Sequence, residues 1–425
     1  MAPITPFTID IPDEHIDQLH QKLQHVSFPD ELDDAGWEMG VPLSTMKRLI
    51  TTWREKFDWR AQEKKLNEQL KQFTVPVAVD GFGDLDIHVV HHRSENSRAV
   101  PLLFIHGYDL LTDILLNTGP GNFLEATKLI PLLTQSEDSE GVSFDVIAPS
   151  LPNFGFSQGI KKRGFGLAQY AETMHKVILA LGYEKYVIQG GDWGSIIARI
   201  MAVYYAEHVQ AVHLNFVPVL PPYPWRNPLL FLSSLISVPF SAKHRGYISR
   251  SLGYKSIGNA YYKQQASRPQ TLGYGLHDSP AALLAWIYDK LHSWSDNYAW
   301  TDEEILTWVS IYYFSRAGPM ASTRIYYEAS GQKPDDVERW MSLDQSFTAR
   351  APDNVRFAVA QFKEEVMMWP MAWYRVIGNV VKEKEFDRGG HFAAWEEPEL
   401  LAGDLKEFLG KGGAAYAVIE GKDGY

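Results

Sequence analysis

Residues 186–200 read YVIQGGDWGSIIARI, and this stretch restricts the possible folds of the chain more than any other. A short apolar strand runs into the pattern Gly-Gly-Asp-Trp-Gly at 190–194, and a helical segment begins near Ser195. Glycines on both sides of one polar residue are typical of a nucleophile elbow, a sharp turn that lifts a side chain above an α/β sheet. The raised residue is commonly serine, whereas this chain has Asp192 there. The stretch therefore predicts a strand-turn-helix unit that presents a carboxylate.

Strands and helices alternate on both sides of this unit. The runs VPLLFIHG at 100–107 and FDVIAPS at 144–150 are continuously apolar, as expected for strands that are buried on both faces. AVHLNF follows the elbow helix, and VRFAVAQF and WYRVIGNVV resume the sheet after a long helical segment. This order predicts an α/β fold, with a mostly parallel sheet, helices on both faces and right-handed crossovers. The helical segment is expected to form a lid inserted in the core.

The chain divides into five predicted segments. An N-terminal helical arm with the first strands takes residues 1–95, and the two halves of the core take 96–220 and 346–412. The helical lid lies between these halves at 221–345, and residues 413–425 form a tail without a clear period.

Composition excludes several classes of function. The chain has 425 residues, of which 45% are hydrophobic and 22% charged, which is typical of a globular protein and not of a disordered one. A net charge of -12 argues against nucleic acid or an anionic membrane as a partner. The absence of cysteine excludes disulfides and thiolate chemistry, and the chain has no H-E-x-x-H pattern to support a metal. The N-terminus lacks the features of a signal peptide and no window is apolar enough for a membrane anchor, so we expect a cytoplasmic protein.

An aspartate at the elbow favours displacement at a saturated carbon. A carboxylate is ionised at neutral pH, and its attack on carbon gives an ester of the protein that activated water must then hydrolyse. In this arrangement the supporting acid and the histidine follow the nucleophile in that order. His391, in a Gly-Gly-His loop after the last strand, is the candidate base. Glu364 and Glu365, just after the preceding strand, are the candidate acids.

Each of these residues also has a simpler structural interpretation. Asp192 could cap the helix, but a cap requires neither a preceding strand nor glycine on both sides. Ser195 is a competing nucleophile, yet it lies a turn past the elbow without a glycine two residues later, which favours a capping or packing role. A single histidine is more often structural, and Glu364 and Glu365 could be ordinary surface charges.

Taken together, the motifs resemble those of the microsomal-type epoxide hydrolases, in particular the soluble fungal members. The likeness runs from Phe7 to about Leu409 and rests on SLPNFGFS, IQGGDWGS, SRPQTLGYGLHDSPAALLAWI, IYYE and GGHFAAWEEPEL. It implies the α/β-hydrolase fold with an N-terminal arm and a helical lid. It also implies a cofactor-independent reaction in which water converts a small apolar epoxide to a vicinal diol. Members of this family are often dimers, so a homodimer is a further expectation.

The resemblance also implies roles for individual residues. Asp192 matches the nucleophile of the family, His391 the base and Glu365 the supporting acid. The backbone N–H of Trp193 is expected to bind the carbonyl oxygen of the ester during its hydrolysis.

Two lid tyrosines of the family hold the epoxide oxygen, which leaves as an alkoxide and therefore needs hydrogen-bond donors. They match Tyr261 in NAYYKQQASRP and Tyr326 in RIYYE. The adjacent Tyr262 and Tyr327 leave an ambiguity of one residue in each motif, and aromatic packing is the simpler interpretation of all four.

One part of the chain departs from the family pattern. The family has His-Gly-aromatic-Pro-Gly after the LLFIHG strand, and its aromatic residue supplies the second N–H to the oxyanion. Here 11 residues, Tyr108 to Thr118, look like an insertion, and the family pattern resumes at Pro120. Tyr108 could still fill the aromatic position, and deletion of the insertion is expected to preserve or raise turnover.

Two other functions compete with epoxide hydrolysis. A haloalkane dehalogenase shares the aspartate elbow followed by tryptophan, but it uses tryptophan or asparagine donors for the halide and lacks this N-terminal arm. A catalytically impaired binding relative would result if the insertion at 108–118 spoiled the pocket. The intact set of Asp192, Glu365 and His391 argues against that alternative. A serine esterase is the weakest option.

Overall fold

A computed structural model describes residues 3–105, 121–135, 141–330 and 349–425. Its strands are β1 (Thr5–Pro6), β2 (Gln72–Val79), β3 (Gly83–His92), β4 (Val100–Ile105), β5 (Phe144–Pro149), β6 (Tyr186–Gly190), β7 (Val209–Leu214), β8 (Arg356–Gln361) and β9 (Asn379–Glu385). They form one sheet in the order β1-β2-β3-β5-β4-β6-β7-β8-β9. The three pairings at the β1 end are antiparallel, and the other five are parallel. The predicted mostly parallel sheet is therefore confirmed.

Helices cover both faces of this sheet. In the described ranges they are α1 (Asp13–Gln24), α2 (Leu43–Glu55), α3 (Trp59–Gln69), α4 (Glu125–Thr134), α5 (Leu167–Ala180), α6 (Asp192–Tyr204), α7 (Pro228–Phe240), α8 (Ala242–Gly253), α9 (Ala260–Ser267), α10 (Pro269–Asp278), α11 (Pro280–Ser293), α12 (Asp302–Tyr313), α13 (Arg324–Ser330), α14 (Ala393–Glu396) and α15 (Pro398–Leu409). A π-helical turn (Tyr254–Gly258) and two 3₁₀ turns (Ala321–Thr323 and Met371–Ile377) complete them. Every residue of β4, β5 and β6 is buried, which explains why these strands are apolar except at Asp145 and Gln189.

The lid helices run from α7 to α13, between β7 and β8, and the N-terminal arm holds part of the lid in place. The Arg48 guanidinium pairs with Asp302 at the start of α12, and the Thr52 hydroxyl donates to the same carboxylate at 3.2 Å. The Lys22 ammonium donates to the His277 carbonyl oxygen in α10 at 3.3 Å. The arm therefore connects to lid helices that lie more than 200 residues later in the chain.

The C-terminal tail, which has no sequence period, is docked on the core. The N–H of Ser143 donates to the Gly424 carbonyl at 3.0 Å, and the N–H of Gly424 donates to the Arg98 carbonyl at 2.9 Å. Ala415 and Ile419 are buried. Backbone hydrogen bonds and isolated apolar anchors thus hold this segment without a helix or strand.

Candidate active site

The turn between β6 and α6 is built as an elbow. Asp192 has φ of 55°, in the left-handed region that few residues other than glycine adopt. This conformation costs roughly 1–2 kcal/mol in an ordinary residue, and aspartate tolerates it better than most. The helix begins at Asp192, three residues earlier than predicted, and its N-cap is Gly191, with no side-chain cap. The interpretation of Asp192 as a helix cap is therefore wrong.

Two glycines of the pattern are required by close backbone contacts. A Cβ on Gly194 would lie 1.8 Å from the carbonyl oxygen of Ile105 at the end of β4. A Cβ on Gly190 would lie 2.7 Å from the carbonyl oxygen of Gly194. The helix can therefore start directly over the sheet only because both positions lack a side chain.

The carboxylate of Asp192 is completely buried, and its two oxygens have different partners. The backbone N–H of Trp193 donates to Oδ1. Oδ2 lies 3.2 Å from Nε2 of His391. One oxygen thus already contacts a backbone donor, while the other faces the candidate base.

His391 lies in the loop between β9 and α14, close to the lid. Gly389 has φ of +86°, and a Cβ on Gly390 would lie 2.4 Å from the carbonyl oxygen of Trp294 in the lid. The N–H of His391 donates to that same carbonyl oxygen at 2.9 Å. The two glycines before the histidine are therefore explained by a tight turn that passes against the lid.

Glu365 and Glu364 point in different directions. The Glu365 carboxylate is buried, lies 2.7 Å from Nδ1 of His391 and accepts the N–H of Val366 at 2.8 Å. The Glu364 side chain is 34% exposed and pairs with the Arg250 guanidinium at 2.7 Å. Of the two candidate acids, only Glu365 contacts the histidine in the described structure.

The charges around His391 favour its protonated form. Burial is the largest single influence and lowers the pKa of His391. The charge of Glu365 and the hydrogen bonds to Asp192 and Glu365 raise it, and together they hold the pKa well above its ordinary value. Ionised carboxylates only accept hydrogen bonds, so a histidine between two of them donates from both ring nitrogens. The position of this histidine between two carboxylates therefore favours the imidazolium form in the resting site.

The two tyrosines of the IYYE motif are on different sides of α13. Tyr326 is fully buried, and its ring meets the Trp193 indole edge to face at 5.8 Å. Tyr327 is half-buried, and its hydroxyl accepts from the Arg163 guanidinium at 3.5 Å. The geometry therefore favours Tyr326 as the one that faces the elbow.

The tyrosines of α9 are both buried near Tyr326. The ring of Tyr262 lies 5.8 Å from that of Tyr326, and the ring of Tyr261 lies 6.4 Å from it. The ring of Tyr261 also meets that of Trp294 at 5.4 Å, and the Trp294 ring in turn meets the imidazole of His391 at 5.5 Å. Because Tyr261 reaches the histidine through Trp294, the geometry favours Tyr261 over Tyr262 as the second donor. This assignment stays a prediction.

Ser195 and Tyr108 are the two remaining candidate residues of the site. The buried Ser195 hydroxyl donates to the backbone carbonyl of Asp192 at 2.7 Å, so it supports the turn. Tyr108 and the insertion at 108–118 lie outside the described residues.

In the described ranges, no helix has both the length and the apolar composition to cross a bilayer. No cluster of histidine and acidic side chains there is arranged to hold a metal ion.

Comparison with known proteins identifies the family. The profile for the epoxide hydrolase N terminus matches residues 4–110, and the profile for the α/β-hydrolase fold matches 114–235. Juvenile hormone epoxide hydrolase 2 of Ctenocephalides felis is 34% identical over 422 residues, which cover 94% of this chain and 84% of the relative. Epoxide hydrolase 1 of Oryctolagus cuniculus is 31% identical over 442 residues, with 96% and 89% covered. This chain belongs to the epoxide hydrolase family.

The structural comparison supports the same conclusion. The solved structure of Aspergillus niger epoxide hydrolase matches this epoxide hydrolase with a TM-score of 0.77 at 29% identity, covering 95% of each chain. The resemblance, the α/β-hydrolase fold and the enzyme class expected from the motifs are confirmed.

Sequence reasoning missed three residues that hold the histidine in this epoxide hydrolase. Trp294 and Asp296 belong to the lid, and Glu396 lies five residues after the histidine. The Glu396 carboxylate accepts the N–H of Asp296 at 2.7 Å, and burial, its largest influence, raises the pKa of Glu396 to about 7. The GGHFAAWEEPEL motif includes Glu396, but nothing in it indicates that this side chain folds back onto the loop.

Proposed function

We propose that this epoxide hydrolase converts apolar epoxides to vicinal diols in two steps, through an ester of Asp192. The supporting observation is the buried Asp192 carboxylate on the elbow, with Trp193 N–H at one oxygen and His391 at the other. In the first step a carboxylate oxygen forms a bond to an epoxide carbon, and the bond between that carbon and the ring oxygen breaks. No base is needed, because the nucleophile is already ionised.

The ring oxygen takes a proton from the lid as it leaves carbon. Tyr326 and Tyr261 are the proposed donors, since a phenol keeps its proton at neutral pH and can donate it to a developing alkoxide. Tyr326 contacts the Trp193 ring, which places it over the elbow. The proton that leaves the phenol is replaced from the imidazolium or from solvent.

The second step hydrolyses the ester with His391 as base. Nε2 accepts a proton from water, whose oxygen bonds to the Asp192 carbonyl carbon, and negative charge develops on the carbonyl oxygen. The N–H of Trp193 contacts Oδ1 in the resting site and is a donor for that charge. The tetrahedral species then expels the diol oxygen, which takes the proton from His391. This leaves Asp192 as a carboxylic acid, whose proton passes to Nε2 of His391, so that the carboxylate and the imidazolium form again.

Ester formation itself prepares the base. The carboxylate of Asp192 is one of the groups that raise the pKa of His391. Because the ester is neutral, alkylation removes this contribution, so the pKa of His391 falls and the imidazolium can release its proton. Glu365 keeps its contact with Nδ1 on the other side and stabilises the imidazolium that forms again during hydrolysis.

The surroundings favour an apolar epoxide over a polar one. The aromatic rings of Phe216 and Trp294 lie 5.7 and 5.5 Å from the imidazole, and Tyr261 and Tyr326 extend this aromatic wall into the lid. We therefore propose aryl-substituted epoxides of the styrene or stilbene type as test substrates.

The homodimer expected from the family stays a prediction, which light scattering tests directly.

A single turnover in heavy-oxygen water tests the mechanism. The diol of the first turnover should carry unlabelled oxygen from the protein, and the label should appear in the peptide that contains Asp192. Asp192→Ala should abolish consumption of the epoxide. Ser195→Ala, which removes the competing hydroxyl and keeps the carboxylate, should still form the ester. Label in the first diol, or undiminished turnover by Asp192→Ala, would contradict the proposal.

A further inference from the structure

Four consecutive backbone N–H groups hold the histidine loop, which we define as residues 389–392, in one position. All four donate to the lid segment 294–296 or to a single glutamate just beyond the loop. Gly389 donates to Asp296 Oδ2 at 3.0 Å, Gly390 to Glu396 Oε2 at 3.1 Å, His391 to the Trp294 carbonyl at 2.9 Å, and Phe392 to Glu396 Oε1 at 3.0 Å. The loop therefore has little freedom relative to the lid.

Glu396 is central to this arrangement because it binds both sides of the contact. Its Oε2 accepts the N–H of Asp296 in the lid at 2.7 Å as well as the N–H of Gly390 in the loop. Its Oε1 accepts the N–H of Phe392. The two carboxyl oxygens of Glu396 have enough lone pairs to accept all three bonds, and these bonds are stronger in the ionised form, which a pKa of about 7 makes the main form above neutral pH.

We infer that Glu396 is a positioning residue for ester hydrolysis, which fixes the imidazole of His391 by joining the histidine loop to the lid segment. This inference rests on the two-step mechanism proposed above. Glu396 contacts neither the Asp192 carboxylate nor the proposed tyrosine donors in the described contacts. Its loss should therefore disturb the step that needs the base and leave the alkylation step intact.

Glu396→Gln is the direct test. Glutamine has the same shape but only one acceptor oxygen, because an NH₂ group replaces the second oxygen. That NH₂ group cannot accept a hydrogen bond, so at least one backbone N–H loses its acceptor. Glu397→Gln is the matched control, because the adjacent Glu397 carboxylate pairs with the Arg388 guanidinium at 2.9 Å and does not contact the loop through the bonds above.

Rapid-quench single turnovers with styrene oxide measure the two steps separately, with the ester detected by mass spectrometry of the intact protein. We expect Glu396→Gln to slow ester hydrolysis at least tenfold while the alkylation rate stays within twofold of the unsubstituted enzyme. The ester then accumulates, so kcat and KM fall together and kcat/KM is unchanged. Glu397→Gln should behave as the unsubstituted enzyme.

Three outcomes separate the inference from the proposed mechanism. Equal slowing of both steps in Glu396→Gln, or unchanged hydrolysis, overturns the positioning role while the ester on Asp192 still supports the mechanism. No ester in any variant overturns the mechanism itself. If Glu396→Gln does not fold, Asp296→Asn, which weakens the acceptor for Gly389, should show the same selective loss of hydrolysis, and its absence overturns the inference.

Discussion

Replacing one of two adjacent glutamates by glutamine tests which of them is the supporting acid of the proposed mechanism. Glu365 is buried with its carboxylate 2.7 Å from Nδ1 of His391, whereas the Glu364 side chain is 34% exposed and pairs with Arg250. Glu365→Gln keeps the shape of the side chain and removes its charge. Glu364→Gln makes the same chemical change one residue away, so it controls for the loss of one negative charge.

The expected size of the effect follows from the type of hydrogen bond. A hydrogen bond to a charged group contributes about 1.5–3 kcal/mol, and each 1.36 kcal/mol in an activation free energy is a factor of ten in rate. The charge of Glu365 also raises the pKa of His391, so its removal weakens the imidazolium that forms as water attacks. Ester hydrolysis in Glu365→Gln should therefore slow by about 10- to 150-fold. In Glu364→Gln the loss involves an exposed ion pair, which contributes about 0–1 kcal/mol to stability and nothing to the base.

Single-turnover measurement of ester decay checks this expectation, with the alkylation rate as an internal reference. Hydrolysis by Glu364→Gln should match that of the unsubstituted enzyme within twofold. If Glu364→Gln were the slower variant, the assignment of the acid would be wrong. If neither variant slowed ester decay, the bond between Glu365 and His391 would not be part of the chemistry.

Three further predictions concern the elbow and the lid. Tyr326→Phe should slow alkylation by about 10²–10³-fold in single turnovers, because loss of one donor to a developing oxyanion has an effect of that size. Tyr327→Phe is the control and should not slow it. The reverse result would move the donor role to Tyr327. Asp192→Asn removes a charge that raises the pKa of His391, so an NMR titration of the imidazole should show a lower pKa in this variant, and an unchanged pKa would refute the coupling. The free energy of unfolding in urea should be about 0.5–1 kcal/mol higher for Asp192→Gly than for Asp192→Ala, because the left-handed strain that glycine relieves exceeds its entropy cost. Equal stability of the two variants would argue against strain at a φ of 55°.

The parts of the fold that depend on local pattern were predictable. The mostly apolar sequences of β4, β5 and β6 follow from burial on both faces, and the glycines around Asp192 follow from close backbone approach. The start of α6 was misplaced by three residues, because the first helical turn contains the elbow itself and has no apolar period of its own. The docked tail was not foreseen because backbone hydrogen bonds such as that of Gly424 leave no side-chain pattern.

The site shows where one sequence stops being informative. Glu364 and Glu365 are equally good candidates by type and spacing, and only the direction of the loop after β8 distinguishes them. Adjacent residues in a helix point about 100° apart, so Tyr326 and Tyr327 separate only once the face of α13 toward the elbow is known. In both pairs the decisive quantity is orientation, which residue identity does not specify.

The contact between the lid and His391 also depends on orientation and could not be predicted from the sequence. Trp294 and His391 are nearly 100 residues apart, and neither sits in a pattern that indicates the other, yet the Trp294 carbonyl accepts the histidine N–H and its ring packs on the imidazole. The ring of Trp294 also meets that of Tyr261, one of the proposed donors, at 5.4 Å. In the proposed mechanism the lid therefore does more than cover the substrate, since its tyrosines would serve ring opening and the segment 294–296 would hold the base for hydrolysis. A substitution that moves Trp294 should consequently slow both steps, whereas loss of the Tyr326 hydroxyl should slow only the first, and comparison of the two variants in single turnovers measures how far the lid couples the two steps.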